Sequence, residues 1–320
     1  MPFDSDSASP ALPHRQRMES SPSVDPALPP VAWPERPEDG HKGTFGRVLL
    51  IGGSRGMAGS IALSSVAALH AGSGLVAAAI PDRILETVAS FSPAIMTVPL
   101  PESEGGVSAE AWPVVRPRLA KQSAIGCGPG LTTAGGSVRL VEGLLIDRPA
   151  PLVLDADALN VIAQEDWIGQ SEFWHLTDAA LLARSPMVWT PHRGELARLT
   201  GVQPGDAEGQ LDAAGKLAQQ TGAVIVVKGG PTKVVWTDRP ESAVTVWTNP
   251  TGNPGMATAG CGDVLTGVIT SLLGQGLDVV DAARLGVWWH GLAGDRAAAA
   301  SSRMGMTSVD LLNHLAAVPA

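Results

Sequence analysis

Six short apolar runs, at 48–51, 75–80, 123–126, 151–154, 187–190 and 223–227, punctuate this chain, and they stop at loops that are polar or rich in glycine. Val48-Leu49-Leu50-Ile51 runs into Gly52-Gly53-Ser54, Ser123 to Gly126 into Cys127-Gly128-Pro129-Gly130, and Pro151 to Leu154 into Asp155-Ala156-Asp157. Short runs without alternation read as strands of a parallel sheet covered on both faces. Stretches such as Ser60 to Ala71 have the composition of closely packed helices. Strand, loop and helix in repetition predict an α/β fold: a central, mostly parallel sheet flanked by helices on both faces. Ligand-binding groups are then expected along one edge, where the strands end. Lys233 to Trp236 and Ala243 to Trp247, joined by the polar turn Asp238 to Ser242, look like a further pair of strands.

One loop is unusually explicit. Asn249-Pro-Thr-Gly-Asn-Pro-Gly-Met-Ala-Thr-Ala-Gly-Cys-Gly-Asp263 leads without a break into the apolar run Val264 to Ile269, so it delivers Asp263 to a helix start. Unpaired N–H groups and the helix dipole make such a start an anion site that needs no basic side chain. Asp at a helix start is commonly only a cap. Gly260 and Gly262 around the small Cys261 favour a concavity of N–H groups beside a phosphate, with Asp263 as a base. Lys228-Gly229-Gly230-Pro231-Thr232, after a strand, is a candidate nucleotide contact, although a lone strand-end Lys is usually just solvated. His192 also ends a strand, where a His more often satisfies the loop. Asp155 and Asp157 either face a ligand or merely terminate their strand. His290 and Asp295 fall in a helix from Val279 to Ala300, with His290 read as a core or interface residue. Cys261 is a candidate for a depressed thiol pKa, against the commoner role of filling space. The last helix follows a capping residue near Met306 to Asp310.

Composition removes several classes. A net charge of −9 argues against a groove that tracks nucleic acid, and the apolar runs are broken well before the length that crosses a bilayer. Two distant cysteines, Cys127 and Cys261, match no metal spacing and suit a reducing compartment, so a cytoplasmic protein is expected. Residues 1–40, rich in Pro and Ser, read as a flexible tail, and 41–320 as one domain. Gly52-Gly53-x-x-Gly56-x-x-Gly59 with Asp82 is a poor dinucleotide fingerprint, because the glycine spacing is wrong.

Six blocks in order resemble the ADP/ATP-dependent NAD(P)H-hydrate dehydratase family of the ribokinase-like superfold. They are His41 to Arg47 with Ile51 to Met57, Gly128 to Gly130, Leu154 to Leu159, Thr190 to Glu195, Lys228-Gly229, and Thr251 to Leu265. The resemblance implies that the S-epimer of hydrated NADH or NADPH is phosphorylated on its ring hydroxyl by ADP or ATP with Mg²⁺, and then loses phosphate. Asp263 would be the base, and Gly260, Cys261 and Gly262 the phosphate cradle. Lys228, Gly229, Gly230, Pro231, Thr232 and Gly262 would meet the nucleotide, while Gly59, Ser60, Gly130, His192 and Asp263 would meet the hydrated dinucleotide. Which residues would hold the Mg²⁺ is left open. A homo-oligomer is expected, served by a Trp-rich helix near 288 that looks exposed, and a separate epimerase as pathway partner. Arg193, Ser60 and Cys261 depart from the usual Pro, Ala, and Ser or Thr, which bears on affinity more than on reaction. The nearest alternative is a kinase of a small alcohol, which would share Asp263 and the cradle. A nucleotide-binding protein without turnover and an NAD-dependent dehydrogenase fit less well.

Overall fold

The computed structural model describes residues 19–20, 25, 27–170, 174, 185–239 and 242–317. Its strands are β1 (Glu19–Ser20), β2 (Arg47–Ile51), β3 (Leu75–Pro81), β4 (Ile95–Leu100), β5 (Glu102–Ser103), β6 (Gly106–Val107), β7 (Ala124–Cys127), β8 (Leu152–Leu154), β9 (Met187–Trp189), β10 (Val224–Val227), β11 (Lys233–Trp236) and β12 (Thr245–Thr248). Ten of them form one sheet in the order β1-β12-β11-β10-β9-β8-β7-β2-β3-β4, and β5 pairs with β6 apart from it. From β4 to β10 every neighbour is parallel; only β11 runs against its neighbours. This is the expected mostly parallel sheet, with the predicted pair at β11 and β12 extending one side.

Strand β2 is where the chain changes direction. It leaves β2 for β3 and β4 on one side, then returns to β7 on the other, so the loops after β2 and β7 diverge over a crevice. The Gly53 N–H donates to the Pro129 carbonyl at 2.8 Å, tying these two loops together. The buried run of β2 splits between two cores. Val48 and Leu50 join the helices Ala58–His70, Cys261–Gly274, Val279–Ala300 and Ser308–Leu315, whereas Leu49 and Ile51 join those on the opposite face. Alternation along a strand therefore survives inside an all-apolar run, because both faces are covered.

Cys261–Gly274 is buried along almost its whole length, as a helix with apolar residues all round must be. Gly267 lets it close on Ala58–His70: a Cβ there would stand 2.1 Å from the Ser64 carbonyl oxygen. The Ser64 hydroxyl donates to the Asp263 carbonyl at 2.8 Å, so the first turn is anchored as well.

Two expectations are corrected. Part of the expected flexible tail packs on the domain: Trp33 meets Trp289 edge-on at 4.7 Å between ring centroids and Trp288 at 6.2 Å. Arg36 lies over the Phe45 ring at 4.0 Å and donates to the Gly72 carbonyl at 3.0 Å, while β1 pairs with β12. The helix around Trp288 is not exposed, since Trp288 and Trp289 retain 2% and 7% of their surface. An aromatic partner distant in sequence covers them, which periodicity cannot reveal. Residues 1–18, 21–24 and 26 of the tail, and Pro240 and Glu241 of the turn between β11 and β12, lie outside the described residues.

Candidate functional site

Strands β7, β8, β9 and β10 are neighbours, and their carboxyl ends bring together loops that are far apart in the chain. Gly128 to Gly130, Asp155 to Asp157, His192 to Glu195 and Lys228 to Thr232 line up along one edge. The start of the Cys261–Gly274 helix faces them: a Cβ on Gly262 would stand 3.2 Å from Lys228 Nζ and 3.9 Å from Asp155 Oδ2. Gly260 is the N-cap of this helix, with φ +90°, and no side chain caps the end. That left-handed turn suits glycine and leaves the first N–H groups without a side-chain partner. Asp263 stands in the first turn and not at the cap, which removes the capping reading for it.

Lys228 is not a solvated strand-end lysine. Its ammonium donates to Asp155 Oδ1 at 2.6 Å and lies 3.7 Å from Glu195 Oε2. The Thr266 hydroxyl donates to the other Asp155 oxygen at 2.7 Å. Asp155 and Glu195 are buried, at 1% and 4% exposure. Burial pulls the Lys228 pKa down, but Asp155 and Glu195 outweigh it and hold it above the ordinary lysine range. A partly buried cation, its side chain 17% exposed and held by two buried carboxylates, thus stands beside the cradle. Asp157 instead accepts from the Thr132 N–H and from Asn160, so it shapes the loops.

Burial pushes the Asp263 carboxyl up to about 6; Asp155 adds repulsion, while a hydrogen bond from Ser60 and the Lys228 charge act the other way. Ser60 also adjoins Gly130, where a Cβ would stand 3.2 Å from the Ser60 Cβ. Asp263 is therefore hydrogen-bonded to Ser60, which adjoins Gly130, and lies in the field of the Lys228 charge. Gly59 has open space around it.

Beside this lies a cleft of about 860 Å³. Lys228 to Thr232, the loop from Asn249 to Thr258, Cys261, Gly262, His192 and His290 all contribute to its wall, whereas Gly59, Ser60, Gly130, Gly260 and Asp263 do not. The residues singled out in the sequence fall into two neighbouring groups that meet at Asp263. His192 belongs to the Lys228 group. Its Nδ1 accepts from the Gly194 and Glu195 N–H groups, capping the Arg193–Thr200 helix, and the Glu195 carboxylate accepts from the His192 N–H at 2.7 Å. This is a capping box with an imidazole as acceptor. Burial, chiefly, lowers the His192 pKa, consistent with a ring that accepts at Nδ1.

Sequence reasoning missed Thr266 and Glu195, and left Asp155 undecided. Thr266 lies one turn beyond Asp263, a spacing that could have flagged it. Asp295 accepts from the Gly252 N–H and the Asn253 amide, and His290 Nε2 lies 2.8 Å from the Cys261 carbonyl. The depressed pKa considered for Cys261 is wrong in sign, because burial pushes the thiol up to about 11. A hydrogen bond with the Thr258 backbone lowers it without offsetting the lost hydration. Cys127, buried in β7, is raised further. Neither thiol is expected to react with iodoacetamide in the native protein at mildly alkaline pH, whereas both should react on denaturation. Rapid native labelling of Cys261 would contradict this.

No group of three or more His, Cys, Asp or Glu among the described residues forms a ready metal cage. No helix among them is long and apolar enough to cross a membrane.

The chain is similar to several known proteins over nearly all of this fold. It is 44% identical over 294 residues to the bifunctional NAD(P)H-hydrate repair enzyme Nnr of Moorella thermoacetica, covering 89% of this chain and 52% of that one. It therefore spans about half the length of that relative. It is 36% identical over 271 residues to the ADP-dependent (S)-NAD(P)H-hydrate dehydratase of Neisseria meningitidis, covering 83% and 82% of the two. Among solved structures, the Bacillus subtilis ADP/ATP-dependent NAD(P)H-hydrate dehydratase, crystallised with ATP and Mg²⁺, superposes with a TM-score of 0.70 at 27% identity, covering 88% and 91%. A ribokinase-like superfamily protein of Enterococcus faecalis superposes with a TM-score of 0.71 at 25% identity, covering 88% and 89%, so the ribokinase-like fold expected from the motifs is shown. Residues 48–317 match the model of the NAD(P)H-hydrate dehydratase family, and the chain belongs to that family.

Proposed function

We propose that this protein dehydrates the S-epimer of hydrated NADH or NADPH, using ADP or ATP, and so returns a damaged cofactor to its reduced form. The observation that carries the reading is the place of Asp263. Its carboxylate stands in an uncapped helix start, hydrogen-bonded to Ser60 and in the field of the Lys228 charge, with its pKa pushed up to about 6. A base of that strength is ionised at neutral pH, yet is basic enough to take a hydroxyl proton in the transition state.

The nucleotide lies in the 860 Å³ cleft against Lys228 to Thr232, with its terminal phosphate on the N–H groups of Gly260 to Gly262. The hydrated ring lies near Ser60 and Gly130, within reach of Asp263, and the dinucleotide extends to His192 on the wall of the cleft. The ring hydroxyl oxygen attacks the terminal phosphorus as Asp263 takes its proton. The bond to the bridging oxygen breaks, and the shortened nucleotide leaves with that electron pair. Phosphate then departs from the ring with the C–O pair, and a neighbouring ring carbon gives its proton to water while its C–H pair restores the double bond. Lys228 and the helix-start N–H groups hold the charge that develops on the phosphoryl oxygens.

The donors fit a nucleotide phosphate: helix-start N–H groups without a side-chain cap, a partly buried ammonium and a glycine where a Cβ would crowd Lys228. A Mg²⁺ ion suits such a site when carried mainly by the phosphates and water, with few protein ligands. It would neutralise phosphate charge there.

The protein, given hydrated NADH or NADPH with Mg²⁺ and ADP or ATP, is expected to restore the absorbance of the reduced nicotinamide. A folded sample that restores none with either nucleotide overturns the reading. A kinase of a small alcohol would instead release a stable phosphate ester. A cytoplasmic, homo-oligomeric enzyme with an epimerase as pathway partner completes the proposal, with residues 41–320 as its domain and Trp33 and Arg36 packed upon it.

A further inference from the structure

The longest motif of the chain, Thr251 to Asp263, has its chemistry at one end only. The function assigned above uses Gly260 to Asp263 and leaves Thr251-Gly252-Asn253-Pro254 without a role. The structure shows what those residues touch. Asp295, on the Val279–Ala300 helix, accepts from the Gly252 N–H at 2.8 Å and from Asn253 Nδ2 at 2.9 Å. The other side of the Asn253 amide accepts from the Gly255 N–H at 2.9 Å and so caps the short turn Pro254–Met256. The Thr251 hydroxyl donates to the Trp288 carbonyl at 2.8 Å. At the far end of the loop, His290 Nε2 stands 2.8 Å from the Cys261 carbonyl, for which it must carry the proton.

Residues 288, 291 and 295 share one face of that helix, and 294 and then 290 follow round from 291 toward the opposite side. Gly291 and Gly294 admit the loop closely, since a Cβ on either would come within 2.4 Å of the Thr251 hydroxyl or the Met256 sulfur. One helix therefore grips the loop at 251–253 and again at 261, and the segment between forms part of the cleft wall.

We propose that Asp295 and His290 are positioning residues, which latch the two ends of the loop 252–261 to the Val279–Ala300 helix and so hold the nucleotide cleft and the phosphate cradle in their binding shape. This rests on the nucleotide reading of the cleft. Asp295 makes two charge-assisted bonds to a loop at the surface. Without them, those donors turn to water, and the loop samples other shapes at little cost to the core. The nucleotide must then select the binding shape, which weakens its affinity.

The test uses the full chain with ADP and Mg²⁺ in calorimetry, together with steady-state kinetics and thermal melting. Asp295→Ala is expected to weaken ADP binding roughly ten- to hundredfold. Asp295→Asn, which keeps one acceptor oxygen, should fall between. His290→Phe should weaken ADP in the same sense. In all three the loss falls on KM for the nucleotide more than on KM for the hydrated dinucleotide. Melting should shift little in the two Asp295 variants. Unchanged ADP affinity in Asp295→Ala overturns the latch. So does a large melting loss in that variant with both KM values raised alike, which marks a merely structural role. If the unmodified protein binds no ADP, the nucleotide reading fails, and the latch falls with it.

Discussion

Asp263→Asn is expected to lower kcat about 10²- to 10⁴-fold while leaving ADP affinity nearly unchanged, because it removes a general base and keeps the shape of the helix start. The pH dependence gives a second reading of the same residue. Only the ionised carboxylate accepts a proton, and its pKa lies at about 6. Activity of the unmodified protein should therefore fall as pH drops through about 6, along one protonation step.

The stability of the same variant should move the other way. The Asp263 carboxyl is raised in the fold from 3.8 to about 6, so its favourable contribution is complete below the unfolded value and is lost as pH rises through about 6. Near pH 8 the ionised carboxylate costs the fold about 1–3 kcal/mol, the upper figure being the whole shift and the lower one allowing for partial exposure. Asp263→Asn should accordingly be more stable than the parent at that pH, with the gain vanishing below about pH 4. Thermal melts across this range check the sign. A variant that retains turnover, or one less stable at alkaline pH, would remove Asp263 from the role assigned to it.

The second large effect is expected at Lys228. Lys228→Met strips the cation from Asp155 and Glu195, both buried, and should destabilise the protein by about 3–5 kcal/mol, the usual result of leaving a buried charge unpaired. Because the Lys228 pKa is raised, the stability it contributes is complete below the ordinary lysine pKa. It fades only as the pH rises through the higher folded value. The loss in the variant should therefore be full at neutral pH. Adding Asp155→Asn removes one stranded charge and should recover part of the stability, measured by denaturant midpoints. ADP affinity should not recover, since the ammonium beside Gly262 is still gone. Without it, binding should weaken by at least about tenfold, the worth of one charge-assisted hydrogen bond. Recovery of both together would mean that Lys228 serves the fold alone.

Much of this site could be read along the chain because its parts are local devices. Gly260-Cys261-Gly262-Asp263 followed by an apolar run specifies an uncapped helix start bearing a carboxylate whatever surrounds it. Likewise, a buried strand that stops at Lys228-Gly229-Gly230 announces a strand-end loop. The failures have a common source. Cys261 and Asp263 share a helix turn, and from sequence both were placed in the field of the helix dipole; burial reverses the expectation for the thiol. Trp288 and Trp289 looked exposed because their cover, Trp33, comes from a segment whose composition reads as tail.

The sequence by itself determined the layered α/β architecture, the edge on which the candidate site lies and the identity of the candidate base, since each depends on patterns a few residues long. Only the tertiary structure decided the partners. Asp155, Glu195 and Lys228 follow β8, β9 and β10, three strands that lie side by side although 73 residues separate Asp155 from Lys228. Asp295 meets Gly252 across 43 residues. Periodicity reports how much of an element is buried and on which side; it carries no information about which element arrives opposite. Strand order supplies that information, and with it the ion pair, the raised carboxyl of Asp263 and the latch on the loop that opens the site.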